Sequence, residues 1–439
     1  MDDPIFQPLH FRHLTVKNRL FRSSISGRID SYDGSGTAAR INWEKKFARG
    51  GVGAIISSHI PVDPSQRILP NYAMIDRDEQ IPFWREVVKN VHQYDCKFIG
   101  QLSMSGRQQD IKGVENKHRV PLSSVDGWEH FHGLSGKAMN QKQIAESVLT
   151  FARAAGRARQ AGMDGIELHA ANGYLFTQFL SSAINKRSDD YGGTLENRAR
   201  FLLEVVGAIR QEVGADYHLQ VKFNAADYHN DYVLNVGKGN TLVEGVQVAK
   251  WLEQAGVDAL HVSVGSQFPH PRNPCGPFPA ESASVTYPSM IPSGKLSFWN
   301  YLLFRYKLSW PLVIWLWARR QPKIREGINL EECRAIKNAV TIPVLCTGGF
   351  QTASVIRAAL VKKDCDGVSI ARPLMANPNL PLLFAEGKDQ APKPCTYCNK
   401  CLAHVLVDPL GCYDESRFES YEAMMDEIMN IFRDENVLL

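Results

Sequence analysis

Eight short apolar runs, each ending in polar or glycine residues and each followed by a longer stretch of helical periodicity, constrain this chain more than any other feature. They are LFRSSI (20–25), VGAIISS (52–58), CKFIGQL (96–102), DGIELH (164–169), YHLQVKF (217–223), DALHVSV (258–264), IPVLC (342–346) and DGVSI (366–370). Such runs joined by helical crossovers, as AESVLTFARAAGRARQAG and ENRARFLLEVVGAIRQEVG, make a parallel sheet. Eight of them predict an α/β fold of the TIM (β/α)8 barrel type, although a doubly wound open sheet fits the alternation too. No G-x-G-x-x-G occurs, so a dinucleotide-binding Rossmann half has no support. With 439 residues, 44% of them hydrophobic and 22% charged, the chain exceeds a barrel of roughly 250 residues, and one large domain with additions is expected.

Charge and the amino terminus narrow the function classes. The net charge of +4 is small and its basic residues are dispersed apart from one patch, which argues against a nucleic-acid partner. The opening MDDPIFQPLHF has neither the basic nor the apolar region of a secretory signal, and no apolar run reaches the length of a membrane span. A cytoplasmic location is the expectation, with the nine cysteines as thiols or metal ligands rather than disulfides.

Barrel chemistry collects at the carboxyl ends of the strands. Those ends carry Ser26, His59, Gln101, His169 and Lys222. The last two runs lead into Gly348 and Gly349 and into Ala371 and Arg372, where glycine amides and a guanidinium make a phosphate site. Each residue alone also fits a structural role; the joint pattern points to a site.

The stretch HAANGYLFTQFLSSAINKRSDDYGGTLENRARF (169–201) resembles the fourth-strand signature of the old yellow enzyme family of flavin-dependent ene reductases. VKNRLFRSSIS, FIGQLSMSGR and SIARPLMANPNLP resemble that family's first, third and eighth strands, so the resemblance spans roughly residues 4–385. It implies a barrel holding FMN and a substrate with an activated C=C bond, an enone or enoyl compound. By this resemblance His169 and Asn172 donate to the substrate carbonyl as enolate charge develops, and Tyr174 protonates the α-carbon. Ser24, Ile25, Ser26, His59, Gln101 and Lys222 would contact the flavin, with Gly348, Gly349, Ala371 and Arg372 on its phosphate. Ser26 departs from the family's Thr or Cys, and Lys222 stands for an arginine, keeping the charge but losing the planar fork.

Beyond the barrel, PCTYCNKCLAHVLVDPLGC sets Cys395, Cys398, Cys401 and Cys412 in a C-x2-C-x2-C-x10-C array. Four thiolates at such spacing suit a [4Fe-4S] cluster or a zinc ion, unless the site is degenerate and empty. The array resembles the segment after the barrel in the iron–sulfur branch of the family, which includes 2,4-dienoyl-CoA reductase and trimethylamine dehydrogenase. That branch carries further nucleotide-binding domains, whereas 27 residues follow Cys412 here. Electrons are therefore expected from NAD(P)H at the flavin or from a redox partner protein docking near the cluster. Cys96, Cys275, Cys333, Cys346 and Cys365 read as core.

These readings divide the chain into a barrel (1–385) and a cysteine-rich segment with a carboxyl-terminal helix (386–439), the latter packing on the barrel or on a second subunit of a homo-oligomer. Within the barrel, the 77 residues between the sixth and seventh runs hold an aromatic and basic insertion at about 286–325. Residues 294–325 concentrate Trp299, Tyr301, Phe304, Tyr306, Trp310, Trp315 and Trp317 among seven cations, without Asp or Glu. Its longest uncharged run, LSWPLVIWLWA, has eleven residues and cannot cross a bilayer of roughly 30 Å. Peripheral contact with the cytoplasmic face of a membrane, a lid and a subunit contact all suit it. Reduction of the enone leads the functional readings; amine dehydrogenation and a membrane-associated electron-transfer role are the alternatives.

Overall fold

A computed structural model describes residues 3–109, 121–231 and 237–433. The eight runs form eight parallel strands: β1 (Leu20–Arg22), β2 (Ala54–Pro61), β3 (Lys97–Ser103), β4 (Gly165–Ala170), β5 (His218–Asn224), β6 (Ala259–Ser263), β7 (Val344–Thr347) and β8 (Gly367–Ile370). They close into a barrel, β8 pairing with β1 through Val368 beside Leu20. The open-sheet alternative is thereby excluded. The second strand runs through His59 to Pro61, longer than its apolar run, past a register irregularity between Ile56 and His59.

Local signals set the crossover helices α1 (Ala38–Arg49), α2 (Ile81–His92), α3 (Gln141–Gln160), α4 (Leu195–Val213), α5 (Leu242–Gln254), α6 (Leu330–Lys337) and α7 (Ala353–Val361). Asn140 with Gln143, and Thr241 with Glu244, make reciprocal caps at the starts of α3 and α5, each satisfying amides the helix leaves over. Gly214, at φ +75°, ends α4. The ring packs on the outer faces of the strands as one continuous core. An amino-terminal hairpin, Leu9–His10 with Thr15–Val16, joins Phe21, Ile99 and Leu345 in a second cluster that plugs the barrel floor.

Between β6 and β7 the chain builds helices Ala280–Thr286, Lys295–Arg305 and Trp310–Ala318 around a satellite core of Leu134, Tyr287, Met290, Phe304 and Val313. The carboxyl-terminal segment forms a helix, Tyr421–Met429, capped by Ser420 and followed by a 3-10 turn at Asn430–Phe432. It packs on α1, where the Asn42 side-chain amide donates to the Ile431 carbonyl at 2.9 Å. All nine cysteines are free thiols, and the five assigned to the core are buried. Among the described residues no helix is long and apolar enough to cross a membrane.

Candidate active site

Parallel register and the alternation of side chains build the site in two layers inside the barrel. Gln101 on β3 and Gln220 on β5 both lie beside Glu167 on β4, and Lys222 lies beside His169 one layer higher. In the lower layer Gln101 Nε2 donates to Glu167 Oε1 at 2.6 Å and Gln220 Nε2 to Glu167 Oε2 at 2.5 Å. His261 on β6 adds Nδ1 at 2.8 Å, and its Nε2 meets the hydroxyls of Thr347 and Ser369, both at 2.6 Å. Burial alone would raise the Glu167 carboxyl; His261, Lys222 and Gln101 outweigh it and hold the group below its ordinary value. Glu167 is therefore a carboxylate acceptor at neutral pH. Gln101 accordingly sits below the cavity wall rather than in it.

The upper layer opens into a cavity of about 290 Å³. Ser24, Ile25 and Ser26 line it from the end of β1, His59 from β2, Lys222 from β5, and Ala371 and Arg372 from the end of β8. His169, Asn172 and Tyr174 line the same cavity. The rings of His59 and His169 are 4.5 Å apart, and each lies 4.8 Å from that of Tyr174. Burial, with Lys222 nearby, pushes His59 down to about 3; burial, with His59 and Lys222, pushes His169 well below the ordinary histidine value. Both imidazoles are neutral at physiological pH and donate through one nitrogen.

Asn172 is held from three sides. It adopts φ +60°, a left-handed conformation that asparagine tolerates, followed by Gly173 at φ +81°. Its amide donates to Asn224 Oδ1 at 3.2 Å, its carbonyl accepts from Gln108 Nε2 at 2.8 Å, and its Nδ2 donates to Ser263 Oγ at 3.2 Å. A Cβ on Gly173 would lie 2.6 Å from the Ser266 carbonyl oxygen, so only glycine lets this turn approach the loop after β6.

Two parts of the expected phosphate site lie elsewhere than on the cavity wall. Gly348 and Gly349 sit beneath the segment before α6, where a Cβ on Gly349 would be 2.2 Å from the Arg325 carbonyl oxygen. The Tyr397 hydroxyl donates to the Gly349 carbonyl. Arg372 does face the cavity, and its guanidinium also donates to Asn399 Oδ1 and lies 5.3 Å from the Tyr397 ring centroid. The cysteine segment thus abuts the barrel mouth, with Cys401 on the cavity wall.

Cys395, Cys398, Cys401 and Cys412 are all half-buried. Burial pushes the Cys395 thiol up to about 11, and the charges of Cys412 and Cys398 add to that rise while Arg372 opposes it. Cys412 Sγ accepts from Arg417 at 3.2 Å, and Cys395 Sγ from the Tyr397 amide at 3.4 Å. Among the described residues no three His, Cys, Asp or Glu side chains converge on one metal ion.

Of the upper wall, only Phe304 and Trp317 belong to a segment the sequence had marked, the aromatic stretch 294–325 for which a lid was one expectation; the other wall residues carry no such signal. Phe131, His132 and Leu134 descend from the loop after β3, and Phe278, Tyr287, Phe304 and Trp317 from the segment after β6. Phe278 lies 4.9 Å from Phe304 and 5.9 Å from Trp317, and His132 Nδ1 is 3.0 Å from the Tyr287 hydroxyl. Among the described residues, the lining includes Lys222 and Arg372 but no carboxylate. Glu167, by contrast, left a trace in the sequence: a charged residue inside a strand, two positions before His169, shares its inward face.

Three buried polar atoms at this cavity have no hydrogen-bond partner among the described residues: Ser24 Oγ, His59 Nδ1 and His169 Nδ1. Buried polar groups are rarely left unpaired, so the donor set fits a polar ligand held across the ends of β1, β2 and β4.

Comparison with known proteins bears on the fold and the family. The NADH oxidase of Thermoanaerobacter brockii is 30% identical over 396 residues, covering 90% of this chain and 52% of that protein. The cinnamate reductase of Clostridium sporogenes is 26% identical over 409 residues, 90% of this chain and 55% of its own length. The chain thus spans about half the length of these relatives. Among solved structures, 2-naphthoyl-CoA reductase superposes with a TM-score of 0.76 at 23% identity, over 94% of this chain and 57% of that one. An old yellow enzyme homologue from Zymomonas mobilis superposes at 0.65 and 21% identity, over 90% and 96%. Residues 313–434 match the dihydrouridine synthase profile. Residues 4–282 match the profile of the NADH:flavin oxidoreductase / NADH oxidase family, and it is to this family that the chain belongs.

Proposed function

We propose that the chain reduces the activated C=C bond of an α,β-unsaturated carbonyl compound whose acyl part is lipophilic or aromatic. The observation that carries this reading is the convergence of neutral His169, Asn172 and Tyr174 on one cavity lined by cations and no carboxylate among the described residues. His169 and Asn172 donate to the carbonyl oxygen, stabilising the negative charge that develops there, and Tyr174 delivers a proton to the α-carbon. Ser24, Ile25, Ser26, His59, Lys222, Ala371 and Arg372 would hold FMN, Lys222 supplying a cation against its ring and Arg372 one against its phosphate. When bound, FMN supplies the hydride for the β-carbon. Phe278, Tyr287 and Trp317 exclude water from the other side and suit an aryl or extended apolar group. Cinnamate and 2-naphthoyl-CoA, the substrates in the relatives' names, are compounds of this kind.

By their C-x2-C-x2-C-x10-C spacing Cys395, Cys398, Cys401 and Cys412 would hold a [4Fe-4S] cluster, which would supply single electrons beside the cavity that Cys401 lines, although no three of these thiols converge on one ion in this structure. Iron content measured in Cys398→Ala against the unaltered protein tests that ligand set, and equal iron in both removes it. NAD(P)H and a protein donor both remain electron sources under this reading.

Oxidation of a cationic amine would gain the aromatic wall, but among the described residues the lining offers it Lys222 and Arg372 and no carboxylate. Anaerobic mixing separates the two. Reduced protein should be rapidly reoxidised by cinnamoyl-type enones and enoyl thioesters. Inertness to all of them, with bleaching of the oxidised protein by amines, would reverse the assignment.

A further inference from the structure

The two helices over the cavity, Lys295–Arg305 and Trp310–Ala318, have unlike sides. Phe304 and Val313 are buried in the satellite core, and Phe304 and Trp317 line the cavity. The opposite side is apolar and uncovered: Trp299 is 64% exposed, Leu308 94% and Trp315 54%. Ten of the twenty exposed large hydrophobic residues described in the whole chain lie between positions 298 and 324. Helix Trp310–Ala318 is apolar at every position, yet Val313 is its one buried residue. A helix apolar all round is normally covered all round, and a contiguous exposed patch of this kind marks an interaction surface.

Charge selects the occupant. Lys295, Arg305, Lys307, Arg319, Arg320, Lys323 and Arg325 lie among these residues, and no Asp or Glu occurs from 294 to 325. Arg319 stands 4.6 Å from the Trp315 ring centroid and Lys307 5.9 Å from that of Trp310, so cations border the rings. A second copy meeting this face about a two-fold axis would set like charges against each other. An anionic headgroup layer neutralises them, and rings with basic flanks sit at that boundary. Nine residues of helix, about 14 Å, cannot span a bilayer. We infer that this face docks in the plane of a membrane surface containing anionic lipid. Because the same helices carry Phe304 and Trp317, docking sets the roof of the cavity against lipid, and a lipophilic substrate reaches the site from there. That last step rests on the proposed reduction; docking itself does not.

Flotation of the purified, flavin-loaded chain with vesicles of phosphatidylcholine, with and without phosphatidylglycerol, tests the inference. The protein should float with anionic vesicles at low salt and lose at least about tenfold of its binding at high salt, as screened surface charges do. Leu308→Ser/Trp315→Ser and Lys307→Glu/Arg319→Glu should each abolish flotation while circular dichroism and flavin content stay unchanged. A folded wild type that does not float, or flotation untouched by both variants, overturns the inference. A dimer in sedimentation that Leu308→Ser/Trp315→Ser breaks, without flotation, overturns it as well and assigns the face to a second copy. Enone turnover measured without vesicles fails or succeeds separately.

Discussion

The floor and the roof of the cavity are made by opposite means. The floor comes from strands: His169 and Lys222 project from paired positions of β4 and β5, with the ring of His59 from β2 4.5 Å from that of His169, beside Gln101, Glu167, Gln220 and His261, whose hydrogen bonds cross the barrel. The roof comes from connections: Phe131 and His132 after β3, and Phe278, Tyr287, Phe304 and Trp317 after β6, packed by ring contacts in a satellite core. A strand end sets a side chain within a fraction of an ångström, which proton and carbonyl chemistry requires; a connection can vary without disturbing the barrel. Under the proposed reduction, the contrast assigns reaction type to the floor and substrate choice to the roof.

The sharpest way to break this division is at Tyr174. Tyr174→Phe should leave reduction of the flavin unchanged and slow the reduction of enone by about 100- to 10,000-fold, the range of a lost general acid. Single-turnover absorbance in the two half-reactions checks it, and a wild-type rate in the second half-reaction would move protonation to solvent.

Next comes the row beneath. Glu167→Ala removes the acceptor for Gln101, Gln220 and His261 and should cost about 3–5 kcal/mol of stability, the range for breaking a buried charged pair. A roof truncation of equal volume should cost less, because aromatic rings there keep other neighbours. Urea unfolding of both variants ranks them, and an equal loss would mean that floor and roof fold as one unit.

Histidine protonation couples both regions to pH. Burial holds His59 and His132 down at about 3 against 6.5 when unfolded, and lowers His169 as well. Below about pH 6.5 the unfolded chain binds protons that the folded chain refuses, so stability is full above that pH and falls as pH drops towards 3. The slope is on the order of 1.4 kcal/mol per pH unit for each such histidine. Replacing His132 with Gln should flatten the slope of denaturation midpoint against pH, and an unchanged slope would assign it to other groups.

The smallest effect belongs to the roof alone. Trp317 donates its indole N–H to the Gly276 carbonyl at 2.9 Å and presents its ring to the cavity. Trp317→Ala should raise KM about tenfold, roughly 1.4 kcal/mol, for a bulky aryl enone, and leave kcat/KM for a small cyclic enone within a factor of about two. Equal losses for both substrates would deny the roof its selective role.

The order and direction of all eight strands, the crossover helices and the polar residues at the strand ends were legible in the amino-acid sequence by itself. Apolar period, caps and turns act within a few residues, and the stretch from His169 to Phe201 carries a family signature dense enough to point to His169, Asn172 and Tyr174 together. The placement of Gln101 below the wall and the use of Phe304 and Trp317 as a roof were decided only in three dimensions. Each depends on partners far away in the chain: His261 meets Glu167 across 94 positions, and Gln108 holds Asn172 across 64. The aromatic insertion shows the limit most clearly. Its composition fitted a membrane contact, a lid and a subunit contact, because composition does not say which side of a helix faces which neighbour; packing gave its inner rings to the cavity and left its outer rings exposed.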